Sequence, residues 1–381
     1  MFKVGIENLD QHLALFNHKR VGLITNPTGV DRNLKSTIDI LQEQTTLAVL
    51  FAPEHGVRGD LQAGVRLDNY VDEKTGVMVY SLYGQNKKPT KEMLAGVDLL
   101  CFDIQDVGAR YYTYLYTMAY AMMAAKENNI PFVVFDRPNP VNGITVEGTI
   151  LDLEYRSFVG YYPLVQRYGL TIGELAVLFN ELYEINCDLT VVKMTGYDRH
   201  LDYDALGFPW ILPSPNLPTV ESTYHYLATC YYEGTNVSEG RGTTKPFSFV
   251  GAPWFNSQAV IERLNKEELK GVQFRPVYFT PTFSKHQGEL CEGIELILTD
   301  KKMYEPVKTG LTLLHIVKEI HEEFAFIKPF KEGHHPMIDL LTGDNYNRLE
   351  MPLSEKLKRL KKDTETFRTL KERYHLYETT T

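Results

Sequence analysis

Three short polar clusters follow apolar runs, and each holds residue types that can bind or move a proton. Leu47–Phe51 leads into Ala52-Pro-Glu-His-Gly-Val-Arg58, and Leu99–Phe102 leads into Asp103-Ile-Gln-Asp106-Val-Gly-Ala-Arg110-Tyr-Tyr-Thr113. Phe132–Phe135 leads into Asp136-Arg-Pro-Asn139-Pro-Val-Asn142-Gly-Ile-Thr-Val-Glu147. Glu54 stands between a proline and a histidine in a glycine-rich turn. A carboxyl group held near apolar walls there is raised in pKa and can donate a proton, whereas a turn cap or a pair with Arg58 is the bland alternative. His55 is a scaffold for hydrogen bonds or a substrate contact. Asp103 and Asp106, three apart at a strand end, offer one group to stabilise developing positive charge and one to cap the following helix. Arg110 is close enough in sequence to neutralise either. Asp136 either pairs with Arg137 or binds substrate, and Asn139 and Asn142 are amide donors or turn formers among prolines.

A fourth segment, Asn236-Val-Ser-Glu239-Gly-Arg241-Gly-Thr-Thr-Lys245-Pro-Phe, is dense in glycine and hydrogen-bonding groups. It lacks the spacing of a phosphate loop, because Lys245 is followed by proline rather than Ser or Thr. It is read as a rim loop that brings Glu239, Arg241 or Lys245 to an anionic ligand, with an exposed connector as the alternative. The first strand ends in Asn26-Pro-Thr-Gly29 and not in G-x-G-x-x-G, so no dinucleotide is expected. H-E-x-x-H and G-x-S-x-G are both missing, and Cys101, Cys187, Cys230 and Cys291 have no C-x-x-C spacing. Buried free thiols, no metal and no organic cofactor are therefore expected. The 24 tyrosines include several beside the polar clusters, where rings suit sugar stacking.

These clusters need a frame that points them to one place. Val21–Thr25, Leu47–Phe51, Val77–Tyr80, Asp98–Asp103 and Phe132–Asp136 read as buried strands, with helices near Ser36–Gln42 and Tyr111–Asn128 between them. Near-continuous apolar strands alternating with helices predict an α/β fold with a parallel sheet covered on both faces. Function in such a sheet gathers beyond the carboxyl ends of the strands, so the three clusters are expected to face one crevice. Thr171-Ile-Gly-Glu174 is a capping box opening another helix. Residues 209–253, rich in Pro, Gly, Ser and Thr, read as loop-dominated and surface-accessible. Beyond them, strands at Val272–Thr280 and Gly293–Thr299 and helices near Val307–Glu323 and Leu353–Arg373 form a smaller α+β unit. The expected division is 1–250 for the catalytic domain and 251–381 for an auxiliary domain. With 40 basic against 49 acidic residues the net charge is -9, which speaks against nucleic acid or an anionic membrane as partner. No stretch approaches the roughly 18–20 apolar residues of a membrane span, and the first residues lack the pattern of an export signal, so a cytoplasmic protein is expected.

Read in order, the motifs resemble those of the NamZ-type exo-β-N-acetylmuramidases, formerly a domain of unknown function. They are Gly22–Gly29, Pro53–Gly59, Phe102–Tyr114, Phe135–Pro140, Ser214–Pro218, Ser238–Phe247, Gly251–Trp254 and Asp339–Gly343. The resemblance implies a Rossmann-like N-terminal domain, a smaller C-terminal domain and a cleft between them. It also implies hydrolysis of a non-reducing terminal β-1,4-linked N-acetylmuramic acid, with Glu54 as the catalytic glutamate. Asp103, Asp106, Glu147 and Glu239 remain open as the second carboxylate. Arg58, Arg110, Arg241 and Lys245 are candidates for the lactyl carboxylate that separates this sugar from N-acetylglucosamine. Asp136 and Asn139 are expected to contact the substrate, a muropeptide or MurNAc–GlcNAc oligosaccharide. Two rivals are a cofactor-dependent Rossmann enzyme and a non-catalytic cell-wall-sugar binding protein.

Overall fold

The computed structural model describes residues 1–53, 56–58, 69–84, 86–349 and 351–378. Apolar runs form the strands β1 (Arg20–Thr25), β2 (Thr46–Ala52), β4 (Met78–Ser81), β5 (Leu99–Asp103), β6 (Phe132–Phe135) and β7 (Leu189–Val192), with β3 (Tyr70–Val71) at one edge. Their order is β3-β4-β2-β1-β5-β6-β7, and all neighbours run parallel except β3 against β4. Without the antiparallel edge strand this is the doubly wound order of a Rossmann-like sheet, with its switch point between β1 and β5. β5 and β6 are buried at every residue because helices cover both faces.

Local sequence sets the helix starts. Ser36 caps α1 (Thr37–Gln44) by accepting from the amide of Ile38. Thr171 and Glu174 close the expected capping box of α3 (Ile172–Glu181), each accepting from the other's amide. α2 (Tyr114–Glu127) crosses between β5 and β6, and ten of its side chains are buried.

The stretch expected to be loop-dominated and accessible contains a buried helix instead. α4 (Val220–Thr229), capped by Thr219, buries nine of its ten residues and continues into a 3-10 turn at Cys230–Gly234. Beyond it lie β8 (Phe249–Ala252), α5 (Ser257–Leu264), β9 (Val272–Phe279), β10 (Cys291–Leu298), α6 (Pro306–Ile320), α7 (Met337–Thr342) and α8 (Leu353–Lys371). The second sheet is antiparallel in the order β8-β10-β9. α4 packs on α6, and α6 on α8. One continuous apolar core runs from Phe2 to Tyr374. The four cysteines are buried free thiols. Among the described residues no helix is long and apolar enough to cross a membrane.

Candidate active site

A cavity of about 530 Å³ opens beyond the carboxyl ends of β4 and β5. That volume suits one or two sugar rings. The loop after β5 supplies Tyr111, Tyr112, Thr113 and Tyr114, and the loop after β4 supplies Tyr83 and Lys87. Tyr226 from α4 and Phe247 close the wall, in edge-to-face contact with centroids 4.8 Å apart. Tyr112 stands edge-on to Tyr114 at 4.9 Å and to Tyr226 at 5.8 Å, so the tyrosines hold one another at fixed angles. The Tyr111 hydroxyl donates to the carbonyl of Leu227 at 2.6 Å, and that of Tyr114 to Pro213 at 3.0 Å.

Among the described residues lining the cavity, the one carboxylate is Glu233, from the 3-10 turn after α4. Arg241 donates to its Oε1 at 2.5 Å and reaches Glu239 at 3.1 Å with Nε. Glu239 lies beneath, buried, with Lys285 at 2.7 Å. Burial pushes the Glu239 carboxyl up, but Lys285 and Arg241 outweigh it and the net shift is downward. Burial likewise opposes the charge on Arg241, yet Glu233 and Glu239 hold its pKa above the usual value. The Arg241 guanidinium lies 5.0 Å over the Phe247 ring. Lys87 stands 4.2 Å over the ring of Phe158, also in the lining. Two cations thus face one described carboxylate, a balance that favours an anionic ligand.

The other expected residues have different places. Glu54 and His55 lie outside the described residues. The carbonyl of Ala52 accepts from Leu82 at 2.8 Å, so β2 delivers the chain to Pro53 beside the loop that carries Tyr83. Arg58 makes a two-pronged pair with Asp72 at 2.7 and 2.9 Å, which, ahead of all other causes, pulls the Asp72 carboxyl down to about 2. Asp103 is fully buried, gripped by Arg137 and Thr37, while its carbonyl accepts from Thr25 at 2.8 Å. This cluster fills the sheet's switch point with the protein's own side chains. Asp106 does not cap α2, whose cap is Thr113; it closes a turn by accepting from Gly108 at 2.9 Å and binds the Tyr168 hydroxyl. Burial pushes the Asp106 carboxyl up to about 7, and its Oδ1 has no partner.

Arg110 is fully buried and its guanidinium donates to the carbonyls of Thr149, Leu164 and Leu341, so it ties these segments together behind the wall and is not itself in the lining. Asp136 accepts from the amides of Arg137 and Gly173 and from the hydroxyls of Thr171 and Tyr377, which fixes the start of α3. Asn139 accepts from Val141 at 3.0 Å and donates to Leu170 at 2.9 Å. Gly108, at φ +78, admits this packing, because a Cβ there would lie 2.4 Å from Asn139 Oδ1. Lys245 pairs with Glu295 of β10 at 2.9 Å, outside the lining. Glu147 lies in the wall of a separate cavity, and burial pushes its carboxyl up to about 7. Of the three clusters, then, only Tyr111, Tyr112 and Thr113, after β5, join the described lining. Glu233, Lys87 and Tyr226 were not foreseen; the one signal for Glu233 was its place after two tyrosines, eight residues before Arg241.

The fold and cavity together define a Rossmann-like α/β protein with an aromatic-walled cleft. The chain belongs to the family of the exo-β-N-acetylmuramidase NamZ, matching its N-terminal part over residues 21–221 and its C-terminal part over residues 224–377. The cavity draws on both stretches, with Tyr83–Leu217 from the first and Tyr226–Leu341 from the second. The chain is 57% identical over 329 residues to the peptidoglycan β-N-acetylmuramidase NamZ of Bacillus subtilis (strain 168), spanning 85% of this chain and 80% of that protein. Two crystal structures of DUF1343 family proteins from Bacteroides fragilis NCTC 9343 share the fold over 99% of both chains. Their TM-scores are 0.91 and 0.79, at 38% and 32% identity.

Proposed function

We propose that this protein is an exo-acting glycoside hydrolase that releases non-reducing terminal β-1,4-linked N-acetylmuramic acid from peptidoglycan fragments. Family membership supports the activity. The structural observation that carries the reading is the aromatic-walled cavity in which Arg241 clamps Glu233. Glycoside cleavage passes through an oxocarbenium-like state and uses a proton donor with a second carboxylate. Glu54 is assigned as the donor, on its Pro-Glu-His-Gly setting directly after β2. Glu233 is assigned the second role in place of Asp103 and Asp106, because it lines the cavity and they are buried outside the lining. Arg241, with Lys87 also in the lining, is assigned to the lactyl carboxylate. Its Nε and one Nη serve the two glutamates, and the side chain lines the cavity.

The test is hydrolysis of an aryl β-N-acetylmuraminide, the matching glucosaminide, and a MurNAc–GlcNAc disaccharide. Release from the muraminide and disaccharide but not from the glucosaminide is expected. Glu54→Gln should melt normally and lose roughly 10²–10⁴-fold in turnover on the disaccharide, with a smaller loss on an acidic phenol leaving group. Saturable sugar binding with no release would make the protein a carbohydrate-binding module instead.

A further inference from the structure

A second cavity, of about 740 Å³, lies where residues 145–147 meet the start of α6 and the outer face of α8. It shares no lining residue with the tyrosine-walled cavity. Two of its ion pairs are internal, Lys308 with Glu305 and Arg368 with Glu365. Lys270, Lys302 and Lys361 remain, exposed at the rim and in no ion pair among the described residues. Three uncommitted ammonium groups around one concavity run against the net charge of -9 on the whole chain. In the wall stands Glu147, only 4% exposed. Its Oε1 accepts from the amide of Lys308 at 2.7 Å, and its Oε2 has no hydrogen-bond partner.

We infer that this cavity is a second binding site, for an acidic peptide whose carboxylates the three lysines hold and whose N–H groups Glu147 accepts. The arrangement argues against phosphate. A phosphate site would use the open amides at the helix start and an arginine fork. Here Glu147 occupies the amide at the start of α6 and Glu365 occupies Arg368. Stacking of a nucleobase has no platform either, because Tyr304 is only 1% exposed. Lysine point charges at the rim, apolar Val146 and Leu360 below them and a buried acceptor fit a chain that alternates carboxylates with amides. Such a peptide is either free or carried on a sugar fragment. The site itself does not rest on the proposed glycosidase activity.

The test is calorimetric titration with the tripeptide Ala-Glu-Glu, free in one arm and joined to the lactyl group of N-acetylmuramic acid in the other. Saturable binding of the free peptide is expected. Lys302→Glu with Lys361→Glu should weaken it by about tenfold or more at low salt, since both charges reverse. Saturating N-acetylmuramic acid should leave it unchanged. Tighter binding of the sugar-borne arm would identify the ligand as a substituent of the glycan, and equal binding would identify a free peptide; either supports the site. No binding by the wild-type protein, binding that survives the double reversal, or competition by N-acetylmuramic acid would each overturn it. Both lysines are exposed, so a melting curve that matches wild type is expected and shows that the variant is folded.

Discussion

Arg241 is placed to do two jobs, and they can be separated. It clamps Glu233 and Glu239 within the protein, and it presents charge to the cavity. A charge-assisted hydrogen bond to the lactyl group is worth on the order of 1.5–3 kcal/mol, so Arg241→Ala should cut muraminide kcat/KM by roughly 10–150-fold from that loss alone. The same variant also loosens Glu233, which slows every substrate. The diagnostic is therefore the muraminide-to-glucosaminide ratio in kcat/KM, which should collapse in Arg241→Ala and persist in Lys245→Ala, whose ammonium pairs with Glu295. A ratio that survives in Arg241→Ala would move the reader to Lys87. The sequence shows Arg241, Lys245, Asp103, Asp106 and Arg110 as a polar set, but does not show which of them face a ligand. Their partners are remote in the chain: Asp103 meets Arg137 and Thr37 at separations of 34 and 66 residues, and Arg110 meets Leu341 at 231. Burial makes a second prediction. Asp106, Asp136 and Glu147 are each pushed up to about 7 by burial, whereas burial pulls His375 down to about 3. Unfolded carboxyls titrate near 4, so between about pH 4 and 7 the folded chain holds extra protons on three carboxyls and lacks one on the histidine. Stability carried by the raised carboxyls is complete below their unfolded pKa and is lost as pH rises through 7. The melting midpoint should thus be higher at about pH 5.5 than at about pH 7. Asp106→Asn keeps an acceptor for Gly108 and Tyr168 without the titration, and should narrow that difference. An unchanged difference would mean that Asp106 is ionised when folded.

At the scale of elements, the site depends on where α4 puts its last turn. Tyr226 and, just beyond the helix, Cys230 and Glu233 all reach the cavity from that end. α4 is held by its crossing with α6 at Gly310, where a Cβ would stand 1.9 Å from the carbonyl oxygen of Ala228. Alanine in place of a mid-helix glycine favours the helix by about 1 kcal/mol. Overpacking against backbone costs about 1–3 kcal/mol or more, so packing should win and Gly310→Ala should melt lower than wild type. It should also lose activity per folded molecule, because the displaced helix carries Glu233. A variant that melts at or above wild type would show that the crossing relaxes without cost. The same helix explains what composition hid. Its residues, Val-Glu-Ser-Thr-Tyr-His-Tyr-Leu-Ala-Thr, include five β-branched or aromatic residues of modest helix propensity and follow a Pro-rich stretch. Its stability comes from the burial of nine residues, part of it against α6, a tertiary contribution that local pattern does not display. The strands of the sheet and the α3 capping box were legible for the opposite reason, since apolar runs and reciprocal caps are local signals.

At the scale of the molecule, α8 and the chain after it bind the last third of the protein to the middle third. Thr364 accepts from Gly148 at 3.0 Å, Asp363 from Ile150 at 3.1 Å, and the Tyr377 hydroxyl donates to Asp136. Lys371 is almost fully buried, and its ammonium donates to the carbonyls of Gly143 at 2.7 Å and Gly169 at 2.6 Å. With one apolar core running from Phe2 to Tyr374, neither part can open without exposing the other. Calorimetry should therefore record one unfolding transition and not two. Lys371 offers a handle on that coupling. Burial, ahead of repulsion from Arg199, lowers its pKa to about 7, and burial lowers Lys356 to about 8, whereas an unfolded lysine titrates near 10.4. Between about pH 7 and 10 the unfolded chain therefore binds more protons than the folded one, and stability from these two groups rises with pH. Lys371→Met abolishes the larger shift and leaves the Gly169 carbonyl without its donor, at about 1–3 kcal/mol, while the Gly143 carbonyl keeps Arg199 at 3.1 Å. The whole transition should move down in the variant and its rise with alkaline pH should flatten, still as a single peak. A second peak split from the first, in wild type or variant, would mean that the two sides of the molecule unfold independently and that the contacts through α8 do not couple them.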